Sequence, residues 1–443
     1  MLATIFGYDP KPWEQHQKAV AVIRKSIEKT NRCRTGSLSA QRAPYNSPSD
    51  IPNLNKILQI DLDVSTVWAE PNVKMETLVR ATIAYGLVPA VVAASKSITV
   101  ADAFAATTTE SSSFKFGTFD CAVLSLETVL SDGQYVMATS SDSCTSDLLC
   151  GSAGAMHSLG LTTLLEIALV SASEYVEITC WPVSSISGAM HKMQQVGETL
   201  SVREISVVDS ATDFVESIMF DSSSGVVLTG RFTPIADFAF VSISTEGQSF
   251  LQRIRSVWQG SLHGWERCAV IVHIIDYLFR HDDSRATDRA HKKRRSCSRK
   301  GSSGLPDPAQ ARVLQDIGLP FETVEEHMHS FHGSQGIWPV CIYPVKPPYA
   351  FGRRSFGIGA AFEHVFFNLR FYSSHTACSG IMERSLRDMH GFRYLQCRAP
   401  CSEVTAWVFH DDRWYGELRS RWKAQGFPDI GSRLGSPQPL TYV

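Results

Sequence analysis

The sequence lacks several features that would place a protein in a broad class at once. No window approaches about 18 uninterrupted apolar residues, and the first residues show no basic segment followed by an apolar one, so neither a transmembrane helix nor a secretory signal is predicted. The net charge of -2 provides no general attraction to nucleic acid or to an anionic membrane. We therefore expect a cytoplasmic chain without a membrane span and without a nucleic-acid partner.

Cysteine and histidine patterns typical of disulfide scaffolds and metal centres are also missing. The 11 cysteines are scattered, and the spacing of Cys397 and Cys401 is not repeated elsewhere. That pattern predicts reduced cysteines rather than a zinc site. His327 and His329 form an HxH pair, but no carboxylate pattern accompanies them, so no metal site is predicted.

What the chain does have is the length and composition of a large globular protein. Its 443 residues are more than a single hydrophobic core usually includes. A content of 44% hydrophobic and 19% charged residues is ordinary for a globular protein with a buried core. We predict an α+β fold with one domain at 1–180 and a second at 181–443. A basic loop at 282–308 contains HKKRRSC; a solvated loop is the expected role, and a nuclear-localisation or nucleic-acid segment is the alternative.

Local patterns predict individual elements of the first domain. Apolar spacing indicates a helix at 14–29 and another at 74–85, ending at Gly86, because glycine often caps a helix. Alternating residues predict strands, and we assign Glu127 and Asp132 to a turn or to solvent. The remaining predictions are a loop at 30–53, a strand pair within 55–67, a hairpin at 121–137 around Gly133 and a strand at 161–170.

A series of motifs in fixed order is more specific than any of these patterns. The series includes ESSSFKFGTFD (110–120), LSDG (130–133) and SLGLTTLLEI (158–167), with weaker continuations in YLFR (277–280), WPVCIYP (338–344) and HGFRYL (390–395). Together they resemble the delta-24 sterol reductase (24-dehydrocholesterol reductase-like) flavoproteins, whose FAD domain is of the vanillyl-alcohol-oxidase or PCMH type. The similarity is strongest over 55–185, extends over most of the chain and is closest to soluble fungal-type members.

The resemblance implies a fold, a cofactor and a reaction. It implies a PCMH-type FAD-binding domain of two α/β subdomains followed by an α+β substrate (cap) domain. It implies hydride transfer from NADPH through FAD to a carbon–carbon double bond of a small sterol-like or other hydrophobic substrate, with peripheral contact to the endoplasmic reticulum membrane as one possibility. Tyr343 and His390, in the C-terminal segments, are candidate proton donors. The implied FAD-binding residues are Glu110, Ser111, Ser112, Ser113, Gly117, Gly154, Ser158, Gly160 and Thr162.

At four positions where the resembled family has glycine, this chain has Ala101, Asp102, Ala106 and His157. A new Cβ can block the approach of a dinucleotide to the backbone, and Asp102 adds a negative charge near the expected pyrophosphate path. The resemblance also implies a further turn that touches the pyrophosphate, expected at residues 30–32 or at residues 35–37. Two alternatives follow. The first is a flavin oxidase or dehydrogenase of secondary metabolism, in which Cys150 or His157 would form a covalent bond to the flavin. The second is a non-catalytic relative that has lost FAD.

Overall fold

The computed structural model describes residues 10–34, 47–51, 53–196, 212–234, 250–261, 268–282, 313–333, 336–358, 364–373, 379–395 and 410–434. These residues form two antiparallel sheets with helices around them. None of the helices in these ranges is both long and apolar enough to pass through a bilayer. Most of the predicted basic loop at 282–308 lies outside the described residues.

The first sheet has the order β1-β2-β6-β4-β5, and β3 also pairs with β6. Strand β6 is therefore its central member. It is buried over most of its length because its mainly apolar sequence, TTLLEIAL, lies between strands β2 and β4. The strands are β1 (Ile57–Asp61), β2 (Thr66–Ala69), β3 (Leu87–Pro89), β4 (Val123–Val129), β5 (Tyr135–Thr139) and β6 (Leu161–Ser171).

The second sheet has eight described strands in the order β10-β7-β9-β8-β12-β13-β11-β14. Its middle strands β8 and β12 are buried throughout most of their length. The strands are β7 (Tyr175–Val183), β8 (Phe214–Asp221), β9 (Ser224–Thr233), β10 (Cys268–His273), β11 (Val313–Pro320), β12 (Val340–Val345), β13 (Phe366–Ser373) and β14 (Phe392–Arg393).

Helices cover the sheets and connect their strands. The helix after strand β11 continues directly into a π-helical turn, Met328–Gly333. The α-helices are α1 (Pro10–Arg34), α2 (Met75–Ile83), α3 (Val100–Ala105), α4 (Ser113–Phe116), α5 (Ser146–Ser152), α6 (Ile186–Val196), α7 (Phe250–Ser261), α8 (Ile274–Leu278), α9 (Phe321–His327), α10 (Ser379–Asp388), α11 (Asp412–Arg421) and α12 (Ile430–Leu434).

Helix α1 is anchored on the first sheet by an apolar face and one buried histidine. Val20, Ile23 and Ile27 are 5%, 4% and 1% exposed, and each such burial stabilises by about 1.5–3 kcal/mol. His16 donates from both ring nitrogens, from Nδ1 to Glu70 Oε1 at 2.9 Å and from Nε2 to Glu127 Oε1 at 3.0 Å. The helix therefore docks through both packing and a buried charge cluster.

Most of the predicted elements are present. The α+β fold is confirmed, as are the helices predicted at 14–29 and 74–85 and the strand at 161–170. The hairpin is also confirmed, with Gly133 at φ +86° in its turn. That value lies in the left-handed region that glycine enters without steric cost.

Two predictions are wrong in part. Residues 30–34 belong to helix α1 rather than to a loop, and the Thr30 hydroxyl donates to the Ser26 carbonyl one turn earlier in the same helix. Glu127 is not in a turn or solvent: it is 4% exposed on β4 and accepts hydrogen bonds from the Thr163 hydroxyl and from the His16 ring. Asp132 does lie in the turn, where its carboxylate accepts from the Gln134 N–H. Strand β7 extends across the predicted domain division between residues 180 and 181, and the division itself stays a prediction.

Candidate functional site

Residues Glu110, Ser111, Ser112 and Ser113 form a tight buried turn between helices α3 and α4, here named the 110–113 turn. Ser113 Oγ accepts from the Glu110 N–H at 2.9 Å, and Ser113 N–H donates to Glu110 O at 2.9 Å. These reciprocal bonds close the turn because serine offers a short acceptor to nearby backbone N–H groups. The four side chains are 3%, 2%, 5% and 0% exposed in chain order.

The 110–113 turn is also bonded to the second sheet through its backbone. Val215 N–H, on β8, donates to Ser111 O at 2.8 Å, and Lys346 N–H, just after β12, donates to Ser113 O at 3.0 Å. The turn is therefore held against the second sheet by two backbone hydrogen bonds, one from strand β8 and one from the residue that follows strand β12.

A buried arginine from α8's C-terminal side reaches the turn. Arg280 forks onto Glu216, with Nε 2.8 Å from Oε1 and Nη2 2.8 Å from Oε2, and Nη2 also donates to Ser111 Oγ at 3.1 Å. Burial alone would raise the pKa of Glu216, but the Arg280 guanidinium and His281 lower it to about 2. The pair therefore stays ionised, and the arrangement is the bidentate geometry that makes arginine–carboxylate pairs strong.

A second buried arginine binds the other end of the turn. Arg370, on β13, donates from Nη1 to Glu110 Oε1 at 2.9 Å and from Nη2 to Thr109 O at 3.0 Å. Its Nε donates to Asp316 Oδ1 at 2.9 Å. Glu110 thus has one carboxylate oxygen saturated, by Arg370 and by the Ala94 N–H. Its other oxygen, Oε2, is buried and has no hydrogen-bond partner among the described residues.

A cavity of about 60 Å³ lies beside the turn. Its polar lining is Glu110, Ser111, Ser112, Ser171, Asp213 and Arg280, and side chains from both sheets form the apolar remainder. A few polar groups on an apolar wall are typical of small-molecule sites, but the volume is below the roughly 300–1,000 Å³ of such sites. The apolar wall includes Val88, Val92, Val170, Phe214, Phe232 and Leu278.

Other predicted serine and threonine ligands are already bonded to the protein. Ser112 Oγ donates to Ala90 O at 2.9 Å. Ser158 Oγ accepts from the Tyr415 hydroxyl at 2.7 Å and its carbonyl accepts from Arg419 at 2.7 Å. Thr162 is buried on β6 opposite Thr128. Of these three, only Ser112 lines the cavity.

The predicted glycine ligands are places of close approach within the protein. Gly154 has φ +81°, and a Cβ there would lie 2.2 Å from Gly357 Cα. Gly117 has φ +72°, and its Cβ would lie 2.9 Å from Cys121 Sγ. At Gly160 a Cβ would lie 2.4 Å from Thr128 Oγ1. Each of the three is therefore required by the chain's own packing.

Side chains occupy the four positions at which the resembled family has glycine. Ala101 is fully buried and Ala106 caps helix α3. Asp102 lies in the first turn of that helix, where its N–H donates to Thr99 Oγ1 at 3.2 Å. His157 has φ +59°, a left-handed value unusual for a residue with a side chain. Its ring lies against Asp102.

The two candidate proton donors lie in different surroundings. Tyr343 is fully buried on β12, with its ring 5.1 Å from the Arg370 guanidinium carbon and its hydroxyl without a partner among the described residues. Burial raises the pKa of Tyr343 well above its ordinary value. His390 lies on an exposed turn after α10 with φ +53°. The structure does not bring His390 to the 110–113 turn within the described residues.

Arg280, Arg370, Glu216 and Tyr277 are not among the predicted site residues, although they surround the turn. Arg280 and Tyr277 belong to the YLFR motif (277–280), so the sequence carried a signal for them. Arg370 is a single charge in the aromatic strand FFNLRFYS, and a lone buried charge is expected to have a partner. Glu216, within the apolar stretch of strand FVESIMFD, gives the same kind of signal.

Comparison with known proteins assigns the first part of the chain. Residues 10–139 match the family of the FAD binding domain. This range contains helix α1, the 110–113 turn and strands β1 to β5. This match together with the relatives described next gives the class, an FAD-binding oxidoreductase distantly related to known enzymes.

Within that class the relatives are Delta(24)-sterol reductases. The chain is 22% identical to the human enzyme over 94% of its own length and 84% of that protein. It is 27% identical to the pea enzyme, over 49% of this chain and 41% of that protein, and 27% identical to the Arabidopsis thaliana enzyme, over 50% and 41%. The matched region thus spans less than half the length of each plant relative. The chain is a distant homologue of these reductases over most of its length, as the motif series implies.

Proposed function

We propose that this protein uses FAD to reduce a carbon–carbon double bond of a small sterol-like or other hydrophobic substrate, with NADPH as the reductant. The observation that carries the proposal is the cavity between the two sheets. Its polar wall is the 110–113 turn with Arg280, and its remaining walls are mainly apolar. The relationship to Delta(24)-sterol reductases supports the reaction and the substrate class.

The polar groups at this cavity offer hydrogen-bond partners to a flavin, whose rings would enter only if wall side chains moved, since the cavity volume is about 60 Å³. Glu110 Oε2 is a buried acceptor without a partner, so it suits an N–H or O–H donor of a bound molecule. The Arg280 guanidinium suits a carbonyl oxygen. When bound, FAD supplies hydride transfer, and the protein supplies orientation and electrostatics. Glu110, Ser111, Ser112 and Arg280 would hold it there.

The apolar wall would hold the substrate and keep water away. Phe214, Phe232 and Leu278 present hydrocarbon surface opposite the polar turn. Exclusion of water protects a transferred hydride from side reactions and strengthens nearby polar contacts. Neither candidate proton donor lines this cavity: Tyr343 is buried beside Arg370 and His390 is exposed.

One observation favours a second candidate function, a non-catalytic relative that no longer binds FAD. Asp102 and His157 fill two of the positions where glycine is expected, and the side chains contact each other. No contact favours the covalent oxidase alternative. Burial raises the pKa of Cys150, which keeps its thiol protonated, and the His157 ring faces Asp102. A cytoplasmic location, with or without peripheral contact to the endoplasmic reticulum, stays a prediction.

The visible spectrum of the purified full chain separates these functions. Flavin absorption with FAD released on denaturation supports an enzyme, and bleaching of these bands by NADPH without oxygen supports the reductase. A colourless protein that takes up no added FAD supports the non-catalytic relative and overturns the proposal. Turnover is then tested with a sterol that has a side-chain double bond, where the product gains two hydrogen atoms by mass.

A variant pair tests the site itself. Glu110→Gln removes the negative charge that faces the cavity and should weaken FAD binding at least ten-fold, since a charged acceptor contributes about 1.5–3 kcal/mol. Glu76→Gln changes an exposed glutamate of α2 that pairs with Arg80 and should leave FAD binding unchanged. Equal effects of the two substitutions would contradict the assignment of Glu110.

A further inference from the structure

An ion pair lies at the edge of the cavity beside the 110–113 turn. Lys115 Nζ, on helix α4, is 3.1 Å from Asp213 Oδ1, just before strand β8. The two side chains are 24% and 28% exposed, and Asp213 belongs to the cavity lining. This pair, here named the 115–213 pair, therefore lies where the lining of the cavity meets solvent.

Solvent exposure identifies the rim of the cavity. Most of the residues that line it are buried. The lining residues that keep some exposure are Phe116, Val170, Ser171, Asp213 and Phe232. Phe116 follows Lys115 directly in the chain, and the Phe232 N–H donates to Asp213 Oδ2 at 2.8 Å. The 115–213 pair thus joins the part of the rim that carries Phe116 to the part that carries Phe232.

The two partners of the pair differ in how firmly they are held. Asp213 is fixed to strand β9, because its N–H donates to Gly230 O at 2.8 Å and its carboxylate accepts from the Phe232 N–H. Lys115 reaches it through a flexible four-carbon stem. The rim residues of strand β6 are held by pairing with strand β3. Movement of the lysine side chain therefore opens the rim without breaking any of these backbone hydrogen bonds.

The size of the cavity makes an opening movement necessary for any ligand of ordinary size. Its volume is about 60 Å³, below the roughly 300–1,000 Å³ of small-molecule sites. Arg280 and Glu216 form another ion pair at this wall, but both are buried, and breaking a buried pair is strongly destabilising. A partly exposed pair contributes much less, because water and salt screen it. The 115–213 pair is therefore the weaker of the two.

We propose that the 115–213 pair is the gate of the cavity. A ligand enters when the Lys115 ammonium moves away from Asp213, which releases the part of the rim that carries Phe116. The pair forms again when the ammonium returns. The gate is a property of the cavity, so it goes beyond the proposed reductase function and does not require that the ligand be a flavin.

The labelling rate of a buried thiol tests the gate without any cofactor. Val92 lines the cavity and is 4% exposed, so Val92→Cys places a thiol on its wall. Mass spectrometry measures how fast a maleimide modifies position 92 in the full chain. Adding Asp213→Asn or Lys115→Met should make this about two- to five-fold faster, the effect expected for a partly exposed pair. Lys423→Met, which breaks an exposed pair with Asp132, should leave the rate unchanged.

A conservative variant and a salt series separate gating from loss of structure. Lys115→Arg keeps a cation opposite Asp213 and should label at the native rate. Raising the salt concentration from about 0.05 M to about 0.5 M should accelerate labelling of the chain with the native pair but not of Lys115→Met, because salt weakens only a pair that is present. Equal rates with and without Lys115→Met, or an equal acceleration by Lys423→Met, would overturn the gate.

Riboflavin, which carries no phosphate, extends the test to a flavin. Its association and dissociation rates should both rise about two- to five-fold in Asp213→Asn, with the dissociation constant nearly unchanged, because a gate controls passage in both directions. This measurement rests on the proposed function. A chain that binds no flavin in any variant would refute that function, whereas labelling at position 92 would still decide the gate. A faster dissociation alone would make Asp213 a ligand contact and would overturn the gate.

Discussion

Asp102 Oδ1 lies 3.6 Å from His157 Nε2, so the side chains at two expected glycine positions contact each other. Asp102 is 27% exposed and His157 is 8% exposed. Burial would raise the pKa of Asp102, but His157 and Thr99 lower it below its ordinary value. The carboxylate is therefore ionised at neutral pH. The two departures from the glycine pattern form one coupled pair.

The first prediction concerns the charge of this pair. Asp102→Asn should tighten the binding of FAD about five-fold, because it removes a partly buried negative charge from the expected pyrophosphate path. The repulsion between that charge and the pyrophosphate is worth about 1 kcal/mol. Quenching of flavin fluorescence measures the dissociation constant. Asp132→Asn, at an exposed turn that pairs with Lys423, is the control. Unchanged affinity in Asp102→Asn would place the pyrophosphate elsewhere.

The second prediction concerns the pH dependence of helix α1 docking. Burial would lower the pKa of His16, but Glu127 and Glu70 raise it from 6.5 to about 9. The folded pKa is thus above the unfolded one, so its stabilisation is complete below about pH 6.5 and is lost as pH rises through about 9. The shift corresponds to about 3 kcal/mol.

His16→Gln should therefore be less stable than the native chain by about 3 kcal/mol below about pH 6.5, with the difference shrinking as the pH rises from about 6.5 to about 9. Urea unfolding across this range measures it. His191→Gln, at an exposed position of helix α6, should show no such trend. A difference that is constant with pH would mean that His16 is not charged in the folded state.

The third prediction concerns the contact between Gly154 and Gly357. Gly154→Ala would place a Cβ 2.2 Å from Gly357 Cα at φ +81°, and the overlap with backbone should cost about 3 kcal/mol or more. Gly352→Ala has a similar φ of +65° but open space around it, so it should cost only about 1 kcal/mol. Guanidinium unfolding of both variants measures the difference. Equal losses would show that backbone strain alone makes Gly154 necessary.

The fourth prediction concerns the buried pair of Arg280 and Glu216. Arg280→Met should destabilise the protein by about 3–5 kcal/mol, because Glu216 is left as an uncompensated buried charge. The double variant with Glu216→Leu should recover most of that loss. Denaturant midpoints of the two variants measure this. No recovery in the double variant would assign the loss to Ser111 and the turn instead of to the unpaired carboxylate.

Much of the first sheet could be predicted from the local sequence, because the pattern of apolar residues and turn residues within each element indicates its structure and burial. Strand β6 is apolar along its length, and the Gly133 turn needs a positive φ, so both are visible in the sequence. Glu127 could not be placed in this way. Its burial depends on His16, which approaches from a helix more than a hundred residues earlier in the chain. The sequence around Glu127 contains no signal of that contact.

The candidate site was predictable on one side only. The motif at 110–113 identifies the turn that borders the cavity. Arg280 and Arg370 come from distant strands and helices of the second sheet, and their role depends on how that sheet packs against the turn. Glu216 lies within the apolar part of strand β8, and its pairing with Arg280 and His281 explains why it is there.

The position of strand β6 has a consequence for how the protein is made. The FAD binding domain match ends at residue 139, yet β6 (Leu161–Ser171) joins the hairpin of β1 and β2 to the hairpin of β4 and β5. A chain synthesised only as far as residue 139 would hold two separate hairpins, and isolated hairpins are marginal in water. The domain therefore completes its sheet during translation only after β6 has emerged from the ribosome, so the segment that matches the family and the cooperative folding unit are not the same stretch of chain.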